Sequence, residues 1–193
     1  MTRPATARTC AALLALAFAG QAAADARADL HAAFQKNMSA KTYRATMTDL
    51  ATGKQMSTVE FQAPDRYRIQ VSGGPTSVIA GGNMYLQVNG QSMKVPLQPG
   101  MMEKFRSDAA WKQMEKDTLI KDAGAGTVGA EAARKFHWIS SGKHPSTGDV
   151  WVGLKSGYVL QVETTDAAGS KKGAVRVHYG DFNSAIRITP PAK

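Results

Sequence analysis

The stretch from Arg66 to Leu97 reads RYRIQVSGGPTSVIAGGNMYLQVNGQSMKVPL, and its period decides the fold. Arg66, Arg68 and Gln70 alternate with Tyr67, Ile69 and Val71. Ser77-Val78-Ile79 follows Gly73-Gly74-Pro75, and Gly81-Gly82-Asn83 turns the chain again. Met84, Leu86 and Val88 then alternate with Tyr85, Gln87 and Asn89. Asn89-Gly90 carries a strong short-range hairpin signal, because a type I′ turn needs positive φ at both central residues. Met93, Val95 and Leu97 continue the apolar set beyond it. Alternation over this length predicts a meander of four half-buried antiparallel strands. One face is wet; the other requires a cover.

Outward from the meander the same period recurs. Tyr43, Ala45 and Met47 share a face, as do Val59 and Phe61 before Pro64-Asp65. After the middle of the chain Phe136 pairs with Trp138 in phase, then Val150, Val152 and Leu154, then Tyr158, Leu160 and Val162, then Val175, Val177 and Tyr179. Phe182, Ile186 and Ile188 close the chain. Thr118 to Asp122 fits a strand, and the Ala/Gly-rich residues 123–133 fit either a loop or a small-residue strand. Two segments break the period of two. Ala26, Leu30, Ala33, Phe34 and Met38 fall at helical spacing, which predicts an amphipathic helix over about 25–40. Met101 to Lys116 lacks Gly and Pro and reads as a second helix. Its apolar residues spread around more than half the cylinder, as in a helix buried on two sides or one that packs on a sheet and touches something else.

The expectation is a mainly antiparallel α+β fold. About ten to twelve strands form a strongly curved half-barrel, with an N-terminal helix and a helical lid on its concave face.

The first two dozen residues read as a secretory signal. Arg3 and Arg8 precede the apolar run Ala11–Gly20, and Ala22-Ala23-Ala24 is a small-residue cleavage site. Cleavage after Ala24 would leave 25–193 as a single domain, soluble in the periplasm. Cys10, the one cysteine, precedes the apolar run, whereas a lipid-attachment cysteine would follow it, so lipidation is not expected. Removing Arg3 and Arg8 leaves 22 Lys and Arg against 15 Asp and Glu, a formal +7. In an exported chain such a balance points to anionic lipid or an acidic partner rather than nucleic acid, or simply to dispersed solubilising charge.

Catalytic signatures are missing from the sequence. His31, His137, His144 and His178 have no zinc-ligand spacing, no G-x-S-x-G elbow occurs, and the glycine pairs lack the strand-to-helix context of a phosphate loop. His144 with Asp149 is the nearest approach to a metal pair, and His178 reads as solvated on the outward face. A non-enzyme without metal or cofactor is expected.

Several short motifs, taken together and in order, resemble a known group. They are Ala63-Pro64-Asp65-Arg66-Tyr67-Arg68, Gly82-Asn83-Met84-Tyr85, Asn89 to Pro96, Val150-Trp151-Val152, Ser156-Gly157-Tyr158 and Tyr179-Gly180-Asp181-Phe182-Asn183. This series is similar to that of periplasmic lipoprotein carriers of the LolA/LolB type and of the mycobacterial LppX/LprG-like lipid binders. The resemblance implies a half-open barrel whose apolar hollow accepts acyl chains of lipids or lipoproteins. It places no functional arginine in this chain.

Under that expectation the hollow is lined by Phe61, Tyr67, Ile69, Met84, Leu86, Val88, Met93 and Val95 from the first meander. Met101, Met102 and Phe105 come from the lid, and Phe136, Trp138, Val152, Leu160 and Val177 from the second meander. Nine methionines, several of them here, suit an irregular guest, since a flexible thioether adapts where a branched side chain does not. The plainer alternative is that they pad a closed core. The expected partner is a lipid or lipoprotein acyl chain, with a membrane-protein donor or acceptor and a monomeric carrier. A second reading makes the chain a non-catalytic interaction or sensing module for a membrane-protein partner.

Overall fold

The computed structural model describes residues 26–191 apart from 89–90, 99, 102–106, 108–110, 113–114, 142–144, 167 and 171–172, and apart from the side chain of Val88. Eleven strands form one antiparallel sheet: β1 Thr42–Asp49, β2 Gln55–Gln62, β3 Arg66–Val71, β4 Thr76–Ala80, β5 Asn83–Val88, β6 Gln91–Pro96, β7 Thr118–Val128, β8 Glu131–Ser140, β9 Ser146–Gly153, β10 Val159–Asp166 and β11 Val175–Gly180. The order across the sheet is β6-β5-β4-β3-β2-β1-β11-β10-β9-β8-β7. The first meander runs outward from the centre and the second runs inward from the far end, and β1 joins β11 in register, Ala45 opposite Tyr179 and Met47 opposite Val177. The sheet is open, with β6 and β7 at its ends.

Register explains the sidedness. The row Tyr43, Phe61, Tyr67, Ile79, Met84 and Val95 runs from strand to strand as direct cross-strand neighbours. On the other half Met47, Val177, Val162, Val150 and Phe136 continue it. Side chains one position away point to the opposite side, and there the sheet is charged. Glu60 receives Arg44 at 2.9 Å and Arg68 at 2.5 Å. Burial alone would raise the Glu60 carboxyl, but the two guanidinium hydrogen bonds outweigh it and hold the group below its ordinary value.

A helix, α1, spans residues 26–39 and lies on the apolar face over β7–β10. Ala26, Leu30 and Ala33 are buried against Ile120, Phe136, Val150 and Val159, the two alanines letting the helix approach closely. Burial of a side chain such as Leu30 is worth about 1.5–3 kcal/mol. Polar tethers fix the helix at both ends. Arg27 donates to the Thr118 carbonyl at 3.1 Å, and Asp29 pairs with Arg134. Asn37 bonds both the N–H and the C=O of Val159, at 2.9 and 3.1 Å.

Several sequence expectations take a different form. Residues 123–133 are the end of β7, a turn at Gly129 and the start of β8, so the small residues belong to a hairpin. Leu154 sits in the turn after β9 and is exposed, no longer in phase with Val150 and Val152. Phe182 and Ile186 lie outside the strands. Residues 184–191 run as an extended strap across the charged face instead. Arg66 donates to the Ile188 carbonyl, Arg68 to that of Arg187, and the Ile188 N–H to Gln62, and Ile188 is fully buried. The turn Gly81-Gly82 has positive φ at both residues, 55° and 71°, and links paired Ala80 and Asn83 as a type I′ hairpin requires. The Asn89-Gly90 turn and most of the helix expected over Met101–Lys116 lie outside the described residues. Within that helix segment Met101 is in a turn, and residues 111–112 and 115–116 are helical.

Candidate functional site: an apolar cavity beneath the helix

Between α1 and the β7–β10 half of the sheet lies a cavity of about 310 Å³. Leu30 and Phe34 of α1 form one wall, and Ile120, Trp138, Val150 and Val162 form the other. Polar groups are confined to Asp117, Thr118, Ser140 and Ser146. Trp111 braces the helix from the side. Its ring stacks on His31 at 4.7 Å and meets Phe34 at 5.3 Å, and it is itself buried. A volume near the lower end of ligand pockets, about 300–1,000 Å³, with an apolar wall and few polar groups, suits one hydrocarbon chain with a polar end.

The sheet opens here because of how its side chains are spaced. Gly148 lies opposite Trp138, and a Cβ at 148 would come within 2.0 Å of the Glu163 carbonyl oxygen and 2.8 Å of the indole. The glycine therefore lets the β10 backbone and the Trp138 ring both approach β9 closely. Arg134 reaches across the same face from β8 to Asp122 of β7 and Asp29 of α1, with its guanidinium 5.0 Å from the Phe136 ring. The Gly124 N–H at 2.7 Å, and then Arg134, hold the Asp122 carboxyl below its ordinary value. Arg134 is raised in turn, chiefly by its bond to Asp122. On β11 the partly buried Tyr179 phenol is pushed up to about 12, mainly by loss of solvent.

Of the residues expected to line a hollow, Trp138 is in this cavity, and Phe136 and Val152 pack in the core cluster around it. Val177 is on the same face beside Val162. Phe61, Tyr67, Ile69 and Met84 form a second cluster with Ile79, Tyr43, Val59 and Leu97, on the β1–β5 half. Leu86 pairs with Met93 and Met84 with Val95 near the β6 edge, where Met93 is 56% exposed; Met101 is also exposed. Leu160 points the other way. A bulge between Val159 and Gln161 puts Val159 under α1 and sends Leu160 to the opposite face, with Val128 and Ala133. Met102, Phe105 and the Val88 side chain lie outside the described residues.

Leu30, Phe34, Ile120, Val150 and Val162 were absent from the expected lining. Their signal in the sequence was the helical phase of α1 and the strand phase of β9 and β10. What the sequence did not carry was which half of the sheet the helix covers.

The charged face holds one arrangement with a catalytic look. Asp149, His137 and Thr147 form a chain, 2.9 Å at Nδ1 and 3.2 Å at Nε2. The Thr147 hydroxyl, however, donates to the Trp138 carbonyl at 2.8 Å, so its proton is not offered to the imidazole. Asp149 also pairs with Lys135 at 2.9 Å, so it belongs to a strand ladder, not to a loop metal site with His144, which lies outside the described residues. Among the described residues no three His, Cys, Asp or Glu side chains are grouped to hold a metal.

Two crystal structures align with most of the chain. Lipoprotein LppX of Mycobacterium tuberculosis aligns with a TM-score of 0.64 at 9% identity, over 86% of this chain and 98% of that one. The chain has an LppX-type fold. LprF of Mycobacterium bovis gives 0.63 at 11% identity, over 88% and 98%. No protein-family model matches the chain, and no curated protein matches it in sequence. At such identities the likeness is one of fold, and the site must speak through its own residues. No helix among the described residues is long and apolar enough to cross a membrane.

Proposed function

We propose that the protein is an exported, non-enzymatic carrier that shelters the acyl chain of a lipid or lipoprotein and moves it between membranes. The observation that carries this reading is the cavity of about 310 Å³ under α1, apolar along its walls and polar only at a few positions. Ten methylenes buried at ~0.8 kcal/mol each give roughly 8 kcal/mol gross, before ordering costs of several kcal/mol. Reversible binding is thus within reach without a single polar contact. The Phe61–Val95 face of the β1–β6 half extends the apolar path, and a lid over Met101–Lys116 would cover it. The leader 1–24, periplasmic delivery and a monomeric single domain over 25–193 belong to the same proposal.

A fluorescent fatty acid tests the reading. The wild-type protein should take it up, and Val162→Trp, which fills the cavity, should reduce uptake at least about tenfold while circular dichroism stays that of the folded sheet. Uptake undiminished in the folded variant would contradict the site. Leu86→Asp then reports whether the β1–β6 half belongs to the path.

A second reading, a module that binds a membrane-protein partner, is favoured by the sheet edge at β6, where Met93 is exposed. A chain that holds no lipid yet captures such a partner would support it.

A further inference from the structure

We propose that the β7–β8 end of the sheet, beside the cavity, is the surface on which the protein docks to an anionic lipid membrane. Leu119 of β7 and Ile139 of β8 are direct cross-strand neighbours on the face opposite Ile120 and Trp138. Both are large and exposed, at 47% and 42%. Paired aliphatics on an end strand of a sheet need a reason to stay uncovered. They share one open groove of about 670 Å³ with Arg27, Lys112 and Lys116.

The charge on this groove is cationic. Glu115 is paired with Arg27 at 3.6 Å, and of the remaining lining charges Lys112 and Lys116 outnumber Asp117. Lys121, exposed two residues beyond Leu119 on the same strand face, adds a further positive charge. Exposed aliphatic side chains beside lysines match a lipid interface, where hydrocarbon enters the acyl boundary and ammonium groups meet anionic headgroups. A protein interface would more typically present aromatic and arginine anchors at its centre. The groove also adjoins the proposed ligand site, since Asp117 and Thr118 line both spaces. A chain leaving the cavity past Thr118 would therefore enter the bilayer side directly. The inference rests on the carrier reading for that purpose, but the docking surface itself is separately testable.

The test is co-sedimentation of the protein, purified from its own host, with vesicles of phosphatidylglycerol and phosphatidylethanolamine or of phosphatidylcholine alone. Binding is expected to the anionic vesicles and to fall as salt is raised. Lys112→Glu with Lys116→Glu should weaken it at least about tenfold. Leu119→Ser with Ile139→Ser should weaken it as well while keeping fatty-acid uptake in the absence of vesicles. Val162→Trp should do the reverse, losing uptake and keeping the vesicles. Equal binding to both vesicle types, or undiminished binding by the folded lysine variant, would overturn the docking surface. Failure of the wild-type protein to take up fatty acid would sink the carrier reading alone.

Discussion

At the residue scale, the motifs that carry the family resemblance turn out to build the scaffold. Arg66 and Arg68 hold the C-terminal strap on the charged face, and Arg68 shares Glu60 with Arg44. Asp181 and Asn183 stand at positive φ, 53° and 55°, a backbone region that Asp and Asn tolerate better than most residues. That geometry lets Asn183 accept from the Lys41 N–H at 2.8 Å and donate to the Tyr158 hydroxyl at 2.9 Å, while Phe182 stacks on Tyr158 at 4.0 Å. None of these side chains lines the cavity; among the described motif residues Val150 alone does, so the motifs report chiefly the fold. The charged groups give a pH prediction. Asp122 titrates below its ordinary value in the folded chain, so the unfolded chain binds more protons as acid is added. Its contribution is present above the unfolded value and is lost as pH falls through the folded one. Asp122→Asn should lower stability near neutrality and flatten its decline below about pH 4, read by urea unfolding across that range. The effect will be small, because Arg134 and Asp122 are both about a third exposed.

At the scale of elements, the period of two located the strands well, because each strand has one face in the core and one in water. It failed where a local irregularity changes phase. The bulge between Val159 and Gln161 swaps Leu160 and Val159, and no residue in Tyr158-Val159-Leu160 announces it. The stretch 123–133 was ambiguous for another reason. Its alanines and glycines have little side chain to alternate, yet backbone pairing with β8 makes it strand. The helix α1 was legible as a helix from Ala26, Leu30 and Ala33, but its partner strands are about a hundred residues away, and nothing local selects them. Asn37 is the residue that registers α1 on β10, by bonding both polar groups of Val159. Asn37→Ala removes both bonds to Val159 under the helix. It should cost about 1–3 kcal/mol, measured as a shift in the urea midpoint at unchanged m-value.

At the scale of the molecule, one apolar face runs the width of the sheet but is filled unequally. The β7–β10 half carries α1, Trp111 and the largest buried cluster; the β1–β5 half carries the smaller aromatic cluster around Phe61 and Tyr67. The sequence reading spread the hollow over both meanders and the lid, with Met84 and Met93 as part of an adaptable lining. The cavity lies instead where α1 stands off the wall between Phe34 and Trp138, a product of helix placement that no periodicity encodes. The fold was therefore largely readable, and the site only in its chemistry, as an apolar space bordered by one sheet face. Its central claim is that this space holds hydrocarbon. The most direct measurement is organic extraction followed by mass spectrometry of protein purified from its own host, with Val162→Trp prepared in parallel. The account predicts an acyl lipid in the wild-type extract at near one per chain and little in that of the variant. Wild-type protein that is folded and free of lipid, or a variant that retains it fully, would contradict the account.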